Sequence, residues 1–196
     1  MANSTLMLSS IKYILIITTV VTLAGCAANV KQTTMQSPTE PAAAPRAQAP
    51  TGALVTVVTG SAEMQANSDW SDFMEEWQSS MEKSTGNSKM TFVFAKDELS
   101  LPANATVLVR LTVNDFKYVS TTKRIMLGII AGNAYMDIDA QYLDLPSKKV
   151  FGSNKFNTSS SAWEGIFSAV TPKQVQTVSD MIVKEVVANA PEKTTP

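Results

Sequence analysis

Two hydrophobic rhythms run along residues 53–190, a two-residue alternation that predicts strands and a 3.6-residue period that predicts helices. Ala53–Thr59 (ALVTVVT) is rich in β-branched residues and closes at Gly60, so it predicts a strand ending in a turn. Trp70, Phe73, Met74, Trp77 and Met81 then recur at i, i+3, i+4, i+7 and i+11, on one face of a helix. Ser68 is its expected N-cap, Asp69 and Asp72 sit near the positive end of its dipole, and Gly86 is its stop. The stripe of Trp70, Phe73 and Trp77 could be core or a groove for a lipid or peptide, and packing on a sheet is the expectation.

Lys89–Ala95 (KMTFVFA) predicts a second strand, broken by Leu101-Pro102-Ala103-Asn104. A third runs from Ala105 to Val119, with Val107, Val109, Leu111 and Val113 on one face and Thr106, Arg110, Thr112 and Asn114 on the other. Lys123 to Ala134 holds two short apolar runs punctuated by Gly128 and Gly132, read as a glycine bend or close backbone approach between two strands. It is too short to span a membrane and lacks the Gly-Lys-Ser/Thr of a phosphate-binding loop. Ala134, Met136, Ile138, Ala140 and Tyr142 alternate with Tyr135, Asp137, Asp139 and Gln141, a half-buried strand. A turn at Pro146-Ser147-Lys148 leads to its hairpin partner, Lys149–Asn157. Thr171-Pro172-Lys173-Gln174 combines an N-cap threonine, a first-turn proline and a capping glutamine, and opens a helix with Val175, Val178, Met181, Ile182 and Val186 on one face, ending before Pro191. The expected fold is α+β, a mostly antiparallel sheet of about five strands with two helices packed on one face.

The remaining segments have a different character. Lys12 precedes an uncharged apolar run, Tyr13 to Ala24, of the length of a secretory h-region and short of a membrane span. It ends in Leu23-Ala24-Gly25-Cys26, small residues before the only cysteine, which reads as a lipobox. Residues 1–25 are therefore expected to be a lipoprotein signal peptide, with Cys26 the lipidated first residue of the mature chain. Acyl-chain burial contributes about 0.8 kcal/mol per CH₂, so several chains would hold the protein on its membrane. From residue 26 to 52 the chain is Ala, Thr, Gln and Pro, with Pro38, Pro41, Pro45 and Pro50, and reads as a tether that would reach roughly 80 Å as polyproline II. The expected organisation is signal peptide 1–25, lipidated cysteine and tether 26–52, periplasmic domain 53–190 and tail 191–196.

Charge and composition narrow the chemistry. The chain has 16 basic and 17 acidic side chains, net −1, and loses Lys12 with the leader, so no basic surplus exists to hold a nucleic acid. It has no histidine, which removes Ser-His-Asp and Cys-His catalysis, a histidine base and nearly all zinc sites. Lipidation would remove its only thiol. No cofactor is expected. The remaining polar candidates are Asp137 and Asp139, weak metal or acid/base candidates at i and i+2 on one strand face, joined by Asp115; a calcium-binding, small-ligand or carboxylate-based hydrolytic module is the alternative function. The ordinary reading of those acids is the solvated face of a sheet.

The stretch Arg124-x-x-x-Gly128-x-x-x-Gly132-x-Ala134, entering a strand of alternating acids and closing in a Lys-Val-Phe strand, resembles the core of a bacterial lipoprotein family known as domain of unknown function 4410. The likeness runs from about Thr56 to Val187; where that family tends to carry Asp-x-x-x-Gly, this chain has Asp144-Leu145-Pro146-Ser147-Lys148 without the glycine. A looser likeness is to periplasmic α+β lipoproteins that assist outer-membrane assembly or secretion. The resemblance implies an envelope lipoprotein and names no reaction. Ala27 follows the cysteine where an aspartate resembles an inner-membrane retention signal in enteric lipoproteins, so the outer membrane, facing the periplasm, is the expected address. The expected function is non-enzymatic binding or assembly in the cell envelope, the partner being an envelope protein met through Arg124, Gly128 and Gly132 and through open strand edges.

Overall fold

The computed structural model describes residues 30–35, 52–86, 88–159 and 171–191. The signal peptide, the lipobox with Cys26, most of the tether and the tail 192–196 lie outside the described residues. Six strands form one sheet: β1 (Val30–Thr34), β2 (Gly52–Gly60), β3 (Met90–Ala95), β4 (Ala105–Lys117), β5 (Tyr135–Asp144) and β6 (Lys149–Ser159), in the order β1-β6-β5-β4-β2-β3. The helices are α1 (Ala62–Gln65), α2 (Trp70–Thr85), α3 (Thr121–Leu127) and α4 (Thr171–Asn189).

The α+β class stands, and the sheet is mixed: three of its five pairings among the described residues are antiparallel, in line with the expectation, and two are parallel. Strands β4, β5, β6 and β1 pair antiparallel, but β2 is parallel to both β3 and β4. The parallel half follows from the connections. Helix α2 returns the chain so that β3 can run in the direction of β2, and the Lys96–Asn104 link carries it back again to start β4. Leu101 on that link packs with Val55, Val57, Ala95 and Leu108, on the sheet face away from α2 and α4. Strand β2 is thus covered on both sides, the condition that favours a continuous apolar run over alternation.

The other sheet face carries the main core. Phe73, Trp77 and Met81 of α2 and Val175, Val178, Ile182 and Val186 of α4 bury against Val107, Val109, Leu111, Val113, Met136, Ile138 and Tyr142. The aromatic stripe is therefore core and no groove: Phe73 stacks on Phe116 at 4.6 Å, and Trp70 meets the same ring edge-on at 5.7 Å. The helix starts one residue later than expected, with Asp69 at the N-cap and no side-chain cap bond.

Two further departures from the expected layout matter for the site. Val30–Thr34, inside the stretch read as tether, is an edge strand, paired Val30 with Thr158 and Thr34 with Asn154. Its Val-Lys-Gln-Thr-Thr sequence is polar after the first residue and shows no alternation, and β6 supplies the hydrogen bonds that such a segment could not make alone. In β4 the pairing shifts between Val113 and Asp115, leaving Asn114 as an extra residue; this bulge resets the alternation so that Phe116 also turns to the core.

Candidate functional site

Where β4 leaves the sheet the chain does not simply bend. Ser120 caps a short helix by accepting from the Lys123 N–H at 3.0 Å, α3 runs seven residues, and a 3-10 turn over Gly128–Ala131 follows before the chain re-enters as β5. Gly128 has φ +54 and ψ −132, a region that essentially only glycine occupies, and open space where a Cβ would lie, so backbone conformation alone requires it. Gly132 has φ +76 and the Lys117 ammonium lies against it, 2.6 Å from where a Cβ would stand.

Arg124, read as a contact residue, faces inward and is only 2% exposed. Its Nη1 donates to the Gly128 carbonyl at 3.2 Å and its Nη2 to the Gly132 carbonyl at 2.5 Å. The Arg-x-x-x-Gly-x-x-x-Gly spacing thus has a physical basis, a guanidinium fork closing the loop on two carbonyls of its own segment. Below it, Val119, Ala131 and Ala134 form a small apolar base. Helix α4 holds that base from the side. Thr171 exchanges bonds with the Val119 backbone, and Gln174 Nε2 donates to the Ala134 carbonyl at 3.0 Å. The expected capping box at the start of α4 is therefore replaced by bonds across to the protrusion.

With the polar residue turned in, the apolar ones turn out. Ile125, Met126, Leu127 and Ile130 are 62%, 79%, 48% and 89% exposed. Large apolar side chains exposed singly are ordinary on a protein surface, whereas these four lie within six residues of one another. The sequence signal was present in the run Ile-Met-Leu-Gly-Ile-Ile, but nothing in it said which side of the turn faced water.

The carboxylate candidates lie on the polar face of the sheet. Asp137 and Asp139 share Lys155, whose ammonium is 2.8 Å from the first and 3.5 Å from the second, and both accept from the Asn114 amide. Burial pushes the Asp137 carboxyl up, but bonds from Lys155, Asn114 and Asn157 and the charge of Lys155 outweigh it and hold it below the ordinary carboxylate range. Lys155 is raised, first by its bond to Asp137. Asp115 sits apart from Lys155 and takes a long 3.5 Å bond from the Tyr135 hydroxyl. Further along the same face Arg110 grips Glu98 with two nitrogens, at 2.5 and 2.9 Å, and donates to Gln141. The bond from Arg110 is the main cause of the lowered Glu98 carboxyl. Among the described residues no three Asp, Glu, His or Cys side chains come together as a metal site, and no helix is long and apolar enough to cross a membrane.

No family model matches the chain, and no curated protein matches it in sequence. Among solved structures it is similar to the PelC dodecamer from Paraburkholderia phytofirmans, with a TM-score of 0.50 at 11% identity over 82% of this chain and 98% of that one. It is also similar to protein XCC0632 from Xanthomonas campestris, described as DUF330, with a TM-score of 0.44 at 12% identity over 73% and 89%. At such identities the PelC likeness speaks for the fold alone, and the second carries no weight beyond its mention.

Proposed function

We propose that this chain is a membrane-anchored periplasmic lipoprotein of the bacterial cell envelope, held by acyl chains on Cys26 and acting as a non-enzymatic binding or assembly accessory. The lipobox and the resemblance to envelope lipoproteins support the address, with the outer membrane as the favoured side. The observation that carries the role is the apolar protrusion of α3 and its 3-10 turn. A buried arginine and three bonds between α4 and the base of the protrusion hold in place a surface of exposed apolar side chains. Such an investment in an exposed apolar face fits association better than chemistry. The rival carboxylates are engaged by Lys155 and Asn114 and form part of a solvated sheet face, which weighs against the calcium or hydrolytic alternative.

The fold likeness to PelC, which assembles as a dodecamer, makes self-association a form that this accessory role could take, through β1 and β3, the outer strands of the sheet among the described residues. The test is made on full-length protein expressed in a Gram-negative host with a photo-crosslinking residue at Ile130. Expected are a mature chain beginning at an acylated Cys26, by intact mass, and recurrent crosslinks from position 130 to another envelope component. An unmodified Cys26, or a position 130 that crosslinks to nothing, would overturn the reading.

A further inference from the structure

The sheet register puts the protrusion and the start of the described chain at one end of the molecule. Lys117, the last residue of β4, pairs with Tyr135, the first of β5; Tyr135 pairs with Ser159, the last of β6; and Thr158 pairs with Val30, the first of β1. The chain leaves this end at Lys117, makes the Thr121–Ala131 protrusion and returns at Tyr135. Cys26 stands four residues before Val30, so even a fully extended chain lets it lie at most about 14 Å from that strand end. A lipid on Cys26 therefore cannot hold the domain at the end of a long leash. Strands β1 and β2 belong to the same sheet, so the chain between Met35 and Gly52 joins two strands of one domain, and the membrane surface is brought to the end of the sheet that carries the apolar protrusion.

The protrusion has the chemistry of a membrane-interface element. Its outward side chains are Ile125, Met126, Leu127 and Ile130, and from Thr121 to Gly132 there is no acidic residue. Lys123 is exposed at its start, and the Lys117 ammonium lies against Gly132 at its end, where each could face lipid phosphates. An apolar face flanked by lysines, lying in the interfacial plane, is how monotopic elements bind a bilayer. One short element is weak alone. Beside an acyl anchor its contact becomes intramolecular, with the high effective concentration that a short link provides.

We propose that the Thr121–Ala131 protrusion is a second membrane contact, seating Ile125, Met126, Leu127 and Ile130 in the interfacial zone of the same phospholipid leaflet that holds the Cys26 acyl chains. The domain is thereby fixed with one end of its sheet against the membrane and the β5–β6 turn pointing away. This rests on the lipoprotein reading above and names what the apolar face binds. The test uses the mature acylated protein in vesicles of phosphatidylethanolamine and phosphatidylglycerol. The chain has one cysteine, and acylation blocks it, so a second can be labelled alone. Met126→Cys and Ile130→Cys, both at exposed positions, are compared with Lys149→Cys at the far end of β6, each carrying an environment-sensitive fluorophore. Blue-shifted emission and quenching by lipids brominated high on the acyl chain, at 126 and 130 but not at 149, is the expected result. Labels at 126 and 130 that behave like the label at 149, on protein whose intact mass shows acylated Cys26, would overturn this proposal while leaving the lipoprotein reading in place. An unacylated Cys26 in that mass spectrum would instead remove the lipoprotein reading and this inference together.

Discussion

Helices α2 and α3 both carry a run of large apolar side chains, and they end in opposite environments. In α2 the residues recur through 16 residues at helical spacing, so four turns present one continuous stripe, and Phe73, Trp77 and Met81 are fully buried. Helix α3 is seven residues long and its apolar residues, Ile125, Met126 and Leu127, are consecutive, so no single face can bury them, and the inward position goes to Arg124. The buried helix is held by apolar packing with its charges in water; the exposed one is held by a charge with its apolar groups in water. Hydrophobicity alone therefore did not decide burial. Spacing decided it for α2, and the hydrogen-bonding needs of a tight turn decided it for α3.

This contrast can be broken from either side. Trp77→Ala should cost the most, about 3–5 kcal/mol, because it empties a fully buried site between α2 and the sheet. Chemical denaturation measures it, and a cost under about 1 kcal/mol would mean that the stripe is not core. Next comes Arg124→Met, which keeps bulk but leaves the Gly128 and Gly132 carbonyls without their donor, expected at about 2–3 kcal/mol. Amide hydrogen exchange over residues 124–134 should accelerate while exchange in β4 and α4 stays slow. Uniform acceleration across the domain would show that Arg124 supports the whole core and not the protrusion.

Smaller effects are expected at the surface. Asp137→Asn should cost no more than about 1 kcal/mol, since the Lys155 pair is part-exposed and screened. The sign with pH follows from the lowered carboxyl. Its contribution is complete above the unfolded value, near pH 4, and fades as pH falls through the lower folded value. The stability gap between wild type and Asp137→Asn should therefore close in acid, and a gap that widened there would reverse the assignment. Smallest of all is Ile130→Ser, expected to shift stability by less than about 0.5 kcal/mol because the side chain is 89% exposed. A clear loss of stability would mean that the protrusion is packed against the fold after all.

Much of the candidate site could be read from residue order, and its orientation could not. The spacing of Arg124, Gly128 and Gly132 singled out the segment, but the arginine was expected at a contact surface, and it is the buried clamp beneath the exposed apolar side chains. Asp137 and Asp139 were legible as neighbours on a strand face, whereas Lys155 and Asn114 reach them only through β6 pairing and the β4 bulge. Thr171 and Gln174 carried a capping signal that the fold used differently, because the Val119 and Ala134 backbone offered bonds across the gap.

Residue order alone carried the α+β class, the strands over 53–59, 89–95 and 105–119, of which the last ends at Lys117 in the structure, the hairpin from residue 134 and the two long helices. Period and turn chemistry are local, and each of these elements states its buried face within a few residues. The parallel placement of β3 and β4 beside β2, the recruitment of Val30–Thr34 as an edge strand and the exposure of the protrusion came only with the tertiary structure. Alternation says which face of a strand is buried and nothing about which strand lies beside it. That choice is made by long-range closure of the sheet, and it is what brings residue 30 and residue 130 to the same end of the molecule.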